Sequence, residues 1–81
     1  MDRGSVVKSM AGRDKNRFYA VVAVDEQNVY LADGKLHKLA KPKRKNPRHL
    51  QKTLVRVDDE TLQADSRLRH MLQKRFAENR P

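Results

Sequence analysis

Three histidines, ten carboxylates and no cysteine are the groups from which catalysis or metal binding would have to be built in this 81-residue chain. They do not converge. His37, His49 and His70 are scattered, with no paired carboxylate or second ligand at metal-binding spacing, so no metal site is expected. The lack of cysteine excludes thiolate zinc sites, disulfides and cysteine nucleophiles. There are three glycines, no Gly-x-Ser-x-Gly elbow and no phosphate-cradling glycine loop. Neither an enzyme, nor a cofactor, nor a small-molecule substrate is expected. The chemistry on offer is cationic: 19 Lys and Arg stand against 10 Asp and Glu, a formal charge of +9.

The placement of that charge narrows its use. Residues 1–34 carry five bases and five acids, and residues 53–81 carry six bases and five acids. Residues 35–52 carry eight bases and no acid. An electrically balanced frame therefore surrounds one basic segment, which suits a polyanion such as nucleic acid; the alternative is a solvated loop that aids solubility. Within the segment, Lys38, Lys41, Lys43, Arg44, Lys45 and Arg48 are candidate phosphate contacts. In the earlier stretch Ala11-Gly12-Arg13-Asp14-Lys15-Asn16-Arg17, the cations Arg13, Lys15 and Arg17 alternate with neutral or acidic residues and are placed to grip successive phosphates. Arg13, Arg44 and Arg48 are the candidates for geometric contacts, because a guanidinium holds phosphate bidentately, whereas lysines supply field.

Short strands must position these residues. Ser5–Ser9 is a β-branched run, and Arg17–Val24 is the longest apolar run, with Phe18, Ala20, Val22 and Val24 on one face. Asp25–Asn28 reads as a polar turn and Val29–Ala32 as a returning strand. Asp33-Gly34 has the form of a two-residue hairpin turn of the primed type, leading into a short fourth strand over Lys35–Ala40. Lys41–Pro47, with two prolines and crowded charge, reads as an exposed loop. Leu54–Val57 would close the sheet. Beyond it Leu68, Met71, Leu72 and Phe76 form a helical stripe, capped by Asp65 or Ser66, with Pro81 past its end. The stripe is assigned to packing against the sheet, with docking of a protein partner as the alternative. Arg67, His70 and Lys74 share the opposite face. Leu, Val and Phe, without any Ile, make 18 of the 81 residues, about 22%, which allows one small core and little more. Phe18 belongs to it; Tyr19 and Tyr30 stay open between core and a stacking platform for unpaired bases.

The order of these blocks resembles KOW-motif RNA-binding domains, in particular the large-subunit ribosomal protein of class fourteen-e and its short bacterial relatives. The likeness rests on Val6-Val7, Ala11-Gly12-Arg13-Asp14, Val21-Val22, Asp33-Gly34, Lys43-Arg44-Lys45 and Asn46-Pro47-Arg48-His49-Leu50, and covers roughly residues 3 to 57. Asn16 stands where such sequences usually have Gly, and Lys52 where they have Pro; Asn tolerates the left-handed backbone, so the turn survives. The resemblance implies a mainly β fold, a small SH3-like barrel of four to five short strands with a C-terminal α-helix. It implies a barrel over residues 1–57 with a basic loop at 41–49, a helical extension over 58–81, and Gly12, Asp33 and Gly34 as structural turns. It implies binding to RNA, ribosomal RNA in the first instance, with His49 bonded to RNA or to the barrel backbone. A general nucleic-acid chaperone and an SH3-like protein-interaction module are the alternatives. No apolar run approaches the roughly 20 residues of a membrane helix and Met1–Gly4 does not open a signal peptide, so a soluble, cytoplasmic protein without membrane partners is expected, and the resemblance implies that it is ribosome-associated.

Overall fold

Valine-rich segments bounded by turn residues form the first three strands, β1 (Ser5–Ser9), β2 (Phe18–Val24) and β3 (Val29–Ala32). Then come β4 (Lys43–Lys45), a single 3-10 turn over Pro47–His49, β5 (Leu50–Arg56) and the helix α1 (Asp65–Arg75). This is a computed structural model and it describes residues 1–80; Pro81, expected past the helix end, lies outside the described residues. The strands form one antiparallel sheet in the order β4-β3-β2-β1-β5. The expected mainly β fold with five short strands and a C-terminal helix is present, but the expected closure into a barrel is not: the sheet is open, with β4 and β5 as its two edges. At three residues between Pro42 and Pro47, which cannot donate, β4 offers too little edge for β5 to pair with.

Both faces of the sheet are buried. On one, Val6, Phe18, Ala20 and Ala32 pack with Val57, Leu62 and the helical Leu68 and Leu72. On the other lie Val7, Tyr19, Val21, Val29, Leu31 and Leu50. The single apolar face read for β2 is therefore half of its role. Phe18 to Val21 are buried on alternate sides, and a register shift between Val21 and Ala23 leaves Val24 exposed. Tyr19 is inside, whereas Tyr30 is only partly buried. The helical stripe does pack on the sheet, and Phe76, just past the helix, stacks on Phe18 with ring centroids 3.9 Å apart. The buried Asn79 then imitates a neighbouring strand: its Oδ1 accepts from the Phe18 amide (2.8 Å) and its Nδ2 donates to the Phe18 carbonyl (2.7 Å).

The connection between β3 and β4 departs most from expectation. Lys35–Ala40 is a loop and not a strand, and the three residues Lys43–Lys45 inside the expected exposed loop add to the edge of β3 instead. β5 likewise starts at Leu50, four residues before its expected start. Asp33-Gly34 is not a two-residue hairpin turn. Gly34 has φ +77°, but Asp33 keeps negative φ, and its Oδ1 accepts from the amides of Lys35 and His37 (2.9 Å each). An acceptor that folds the chain around itself competes with strand formation here. Asp65 acts in the same way. Ala64 is the N-cap of α1, and neither Asp65 nor Ser66 caps it. The Asp65 carboxylate instead accepts from the Leu39 amide (2.8 Å) and ties the 33–42 loop to the start of the helix.

Gly34 is where these two elements meet. A Cβ there would fall against the Asp65 carbonyl and 2.9 Å from the Arg69 amide, both backbone atoms that cannot swing aside. Strained φ and overpacking together put the expected cost of Gly34→Ala at about 3 kcal/mol. For a domain of this size that is a fall in Tm of roughly 15 °C, to be read by thermal unfolding under circular dichroism. A fall of only a few degrees would show that α1 moves away at little cost.

Antiparallel pairing puts particular loops together. Lys8 pairs with Phe18, Ala20 with Ala32, Leu31 with Lys43 and Ser9 with Leu50. The ends of β1 and β3 and the starts of β2, β4 and β5 therefore share one end of the sheet. Segments 10–17, 33–42 and 46–49 converge there. The opposite end carries Asp2, the Asp25–Asn28 turn and Asp58–Glu60.

Candidate nucleic-acid interface

The converging end of the sheet carries Arg13, Lys15, Arg17, Lys35, Lys38, Lys41, Lys43 and Arg48, and the opposite end carries six of the ten acids. Charge balanced along residues 1–34 is thus unbalanced in space. Three of the four remaining acids are engaged within the structure: Asp33 is 2% exposed, Asp65 is committed to Leu39, and Asp14 lies beneath two lysines; the fourth, Glu78, is exposed, with its main-chain carbonyl accepting from Arg17. At the far end Arg56, with help from Ser5, holds the Asp2 carboxyl down at about 2.

Asp14 organises the basic end. Its Oδ1 accepts from Ser9 Oγ (2.8 Å) and Lys45 Nζ (2.7 Å), and its Oδ2 from Tyr19 Oη (3.0 Å) and Lys43 Nζ (2.8 Å). Lys45 also donates to Ser9 Oγ (2.6 Å) and to the Ala11 carbonyl (3.0 Å), and only 11% of its side chain is exposed. Burial pushes the Asp14 carboxyl up, but the four donors outweigh it and hold it far below the usual carboxylate range. The Tyr19 hydroxyl is pushed well above its ordinary value by burial and then by the adjacent Asp14 charge. The clamp joins the β1–β2 loop to β4, and the Met10 amide donates to the His49 carbonyl (2.8 Å) beside it. Gly12 (φ +88°) and Asn16 (φ +74°) turn the loop through left-handed backbone, as Asn16 in place of Gly allows.

This geometry divides the ten sequence-predicted contacts. Arg13, Lys15, Lys38, Lys41, Arg48 and His49 are exposed at or beside the converging loops. Among the described residues none of their side chains has a salt-bridge partner within 4.0 Å. Lys43 and Lys45 are held by Asp14. Arg17 donates to the Glu78 carbonyl (3.1 Å) and lies 4.0 Å from the buried Asp33 Oδ2. Arg44 stands apart: strand alternation turns it to the opposite face from Lys43 and Lys45, across from Tyr30. There the Tyr30 hydroxyl donates to Asp25 (2.6 Å) and holds that carboxyl below its ordinary range, with Arg44 contributing a smaller attraction. His49 bonds the backbone through its own main-chain carbonyl, which leaves the imidazole outside that contact.

Two depressions flank the clamp. One, about 380 Å³, is lined by Arg13, Asp14, Arg17, Tyr19, His37, Leu36 and Lys43; the other, about 340 Å³, runs from Gly12 and Arg13 to Lys45 and His49. Sequence reasoning missed Ser9, Leu36, His37 and the role of Asp14. The one available signal was Asp14 itself, a lone acid among bases in a turn. Nothing in the spacing connects it with lysines 29 and 31 residues away. Among the described residues no helix is long and apolar enough to cross a membrane, and no three His, Asp or Glu side chains group as metal ligands. No protein-family model matches the chain, and no curated protein does.

Proposed function

We propose that this chain is an RNA-binding protein that sets its basic end on structured RNA, ribosomal RNA in the first instance, as a ribosomal or ribosome-associated translation protein. The observation that carries the reading is the segregation of charge along the sheet. Arg13, Lys15, Lys38, Lys41 and Arg48, exposed and unpaired among the described residues, gather at one end, and six carboxylates at the other. Such an arrangement orients the molecule toward a polyanion and keeps the acidic end away from it. The likeness to KOW domains supports RNA over other polyanions. Asp14 neutralises one of the two lysines that flank it, so even the clamp retains a positive charge. Phosphate neutralisation releases counterions, and shape gives the preference, since contacts of this kind carry little base information.

Binding to a structured ribosomal RNA fragment and to duplex DNA of equal length, titrated with salt, tests this. With about five phosphate contacts, affinity for the RNA is expected to fall a few hundredfold between 50 and 200 mM salt. RNA is expected to bind the tighter at every salt concentration. Equal affinity for DNA would favour the general nucleic-acid module, and complexes that survive high salt and nuclease would favour a protein-interaction module.

A further inference from the structure

The larger depression beside the clamp has a lining that phosphate binding does not use. We propose that it takes one unstacked nucleobase of the bound RNA, so that the interface reads an unpaired nucleotide beside the phosphates it grips; the inference rests on the RNA-binding reading above. Three features point to a planar, partly apolar ligand. At about 380 Å³ the space lies within the size range of small-ligand sites. Leu36, an apolar side chain 72% exposed, lines the space, although the core has no need of it there. His37 lines it too, its ring tilted 57° to that of the buried Tyr19 at 5.8 Å.

The backbone of His37 is also held in place. Its amide donates to Asp33 Oδ1 (2.9 Å), and its carbonyl accepts from the Asp33 and Gly34 amides (2.9 and 3.1 Å). Asp33 is buried, and among the described residues its second oxygen, Oδ2, has no hydrogen-bond partner, only Arg17 at 4.0 Å. A turn so constrained fixes the backbone that carries the imidazole at the depression, and a base stacks on such a ring whatever its identity.

The polar part of the lining then selects among bases. Asp14 is the acceptor in reach, and its four lone-pair positions are filled by Ser9, Lys45, Tyr19 and Lys43. What remains, besides the His37 ring given to stacking, are the donors of Arg13, Arg17 and Lys43. The pocket therefore favours a base with an acceptor edge, as guanine has in O6 and N7, over adenine, whose amino group would meet these cations.

The test compares RNA hairpins of one stem, fully paired, with a single bulged guanosine, or with a single bulged adenosine, at matched salt. The bulged guanosine is expected to bind about tenfold more tightly than the paired stem, and more tightly than the bulged adenosine. Leu36→Ala and His37→Ala are each expected to remove that preference and leave affinity for the paired stem unchanged; His37→Phe is expected to keep it. The exposure of Leu36 makes its variant safe for the fold. Equal binding of bulged and paired stems, or a preference that survives both alanine variants, would overturn the base pocket and leave RNA binding standing. Failure to bind any of the hairpins would remove the RNA-binding reading and this one together.

Discussion

Replacing Arg13, Lys15, Lys41 and Arg48 by Glu together is expected to release the chain from large ribosomal particles and leave its fold intact. All four are exposed and unpaired among the described residues, so no internal ion pair is broken. Each reversal removes two charges, which takes the formal +9 to +1. Loss of four phosphate contacts makes the salt dependence shallower by about 3 and lowers affinity more than about a hundredfold at physiological salt. Sedimentation of purified ribosomes with the variant reads the effect. Reversing Arg67, Lys74, Arg75 and Arg80 imposes the same change in net charge outside segments 10–17, 33–42 and 46–49, and that variant is expected to stay bound. If the two variants lose binding alike, total charge governs and the position of these residues does not. Arg44→Glu alone is expected to matter little, because its strand turns it toward Tyr30 and Asp25. Lys45 does not belong in such a set, since reversing it would set a second carboxylate against Asp14.

Asp14→Asn is expected to have the largest effect on stability of any charge-neutralising change. An amide has nearly the shape of the carboxylate, but it satisfies at most one of the two ammonium groups and turns a donor toward the other. Removing one partner of a mostly buried ion pair costs about 3 kcal/mol, which for this chain is a fall in Tm of roughly 15 °C. Adding Lys45→Met to Asp14→Asn is expected to recover part of the loss, because the uncompensated charge goes with it. The carboxyl of Asp14 is held low in the folded chain, so its stabilisation is complete above its ordinary value of about 3.9 and is lost as the pH falls toward its folded value. The parent chain should therefore lose stability steadily below about pH 4, and Asp14→Asn should flatten that acid limb. Thermal unfolding at pH 7 and pH 3 checks both statements; an Asp14→Asn variant as stable as the parent at pH 7 would show that the clamp contributes nothing.

Where strands and helix lie was largely legible, because valine runs and a 3.6-residue stripe report local geometry directly. β1, β2, β3 and α1 fall within a residue or two of their expected places. What was not legible depends on side chains that bond across long separations. Asp33 folds Lys35–His37 around its own carboxylate, and Asp65 leaves its helix end to hold Leu39, so the apolar alternation of Leu36 and Leu39 never becomes a strand. The same limit applied to the site. Counting charge along the chain singled out residues 35–52, and it set Lys43, Arg44 and Lys45 side by side as phosphate contacts. Strand alternation separates them: two lysines serve Asp14 and the arginine faces the other side. Conversely, Arg13 and Lys15 come from a stretch with no net charge, and pairing of β1 with β2 and β5 carries them to the basic end.

The central claim is that the basic end meets RNA, and ultraviolet crosslinking of the full chain in cells, with sequencing of the attached RNA, tests it most directly. The account expects abundant crosslinks concentrated at a few positions in ribosomal RNA and lost in the Arg13, Lys15, Lys41 and Arg48 reversal. Recovery of no RNA above background, or of the same RNA with the reversed chain, would contradict it.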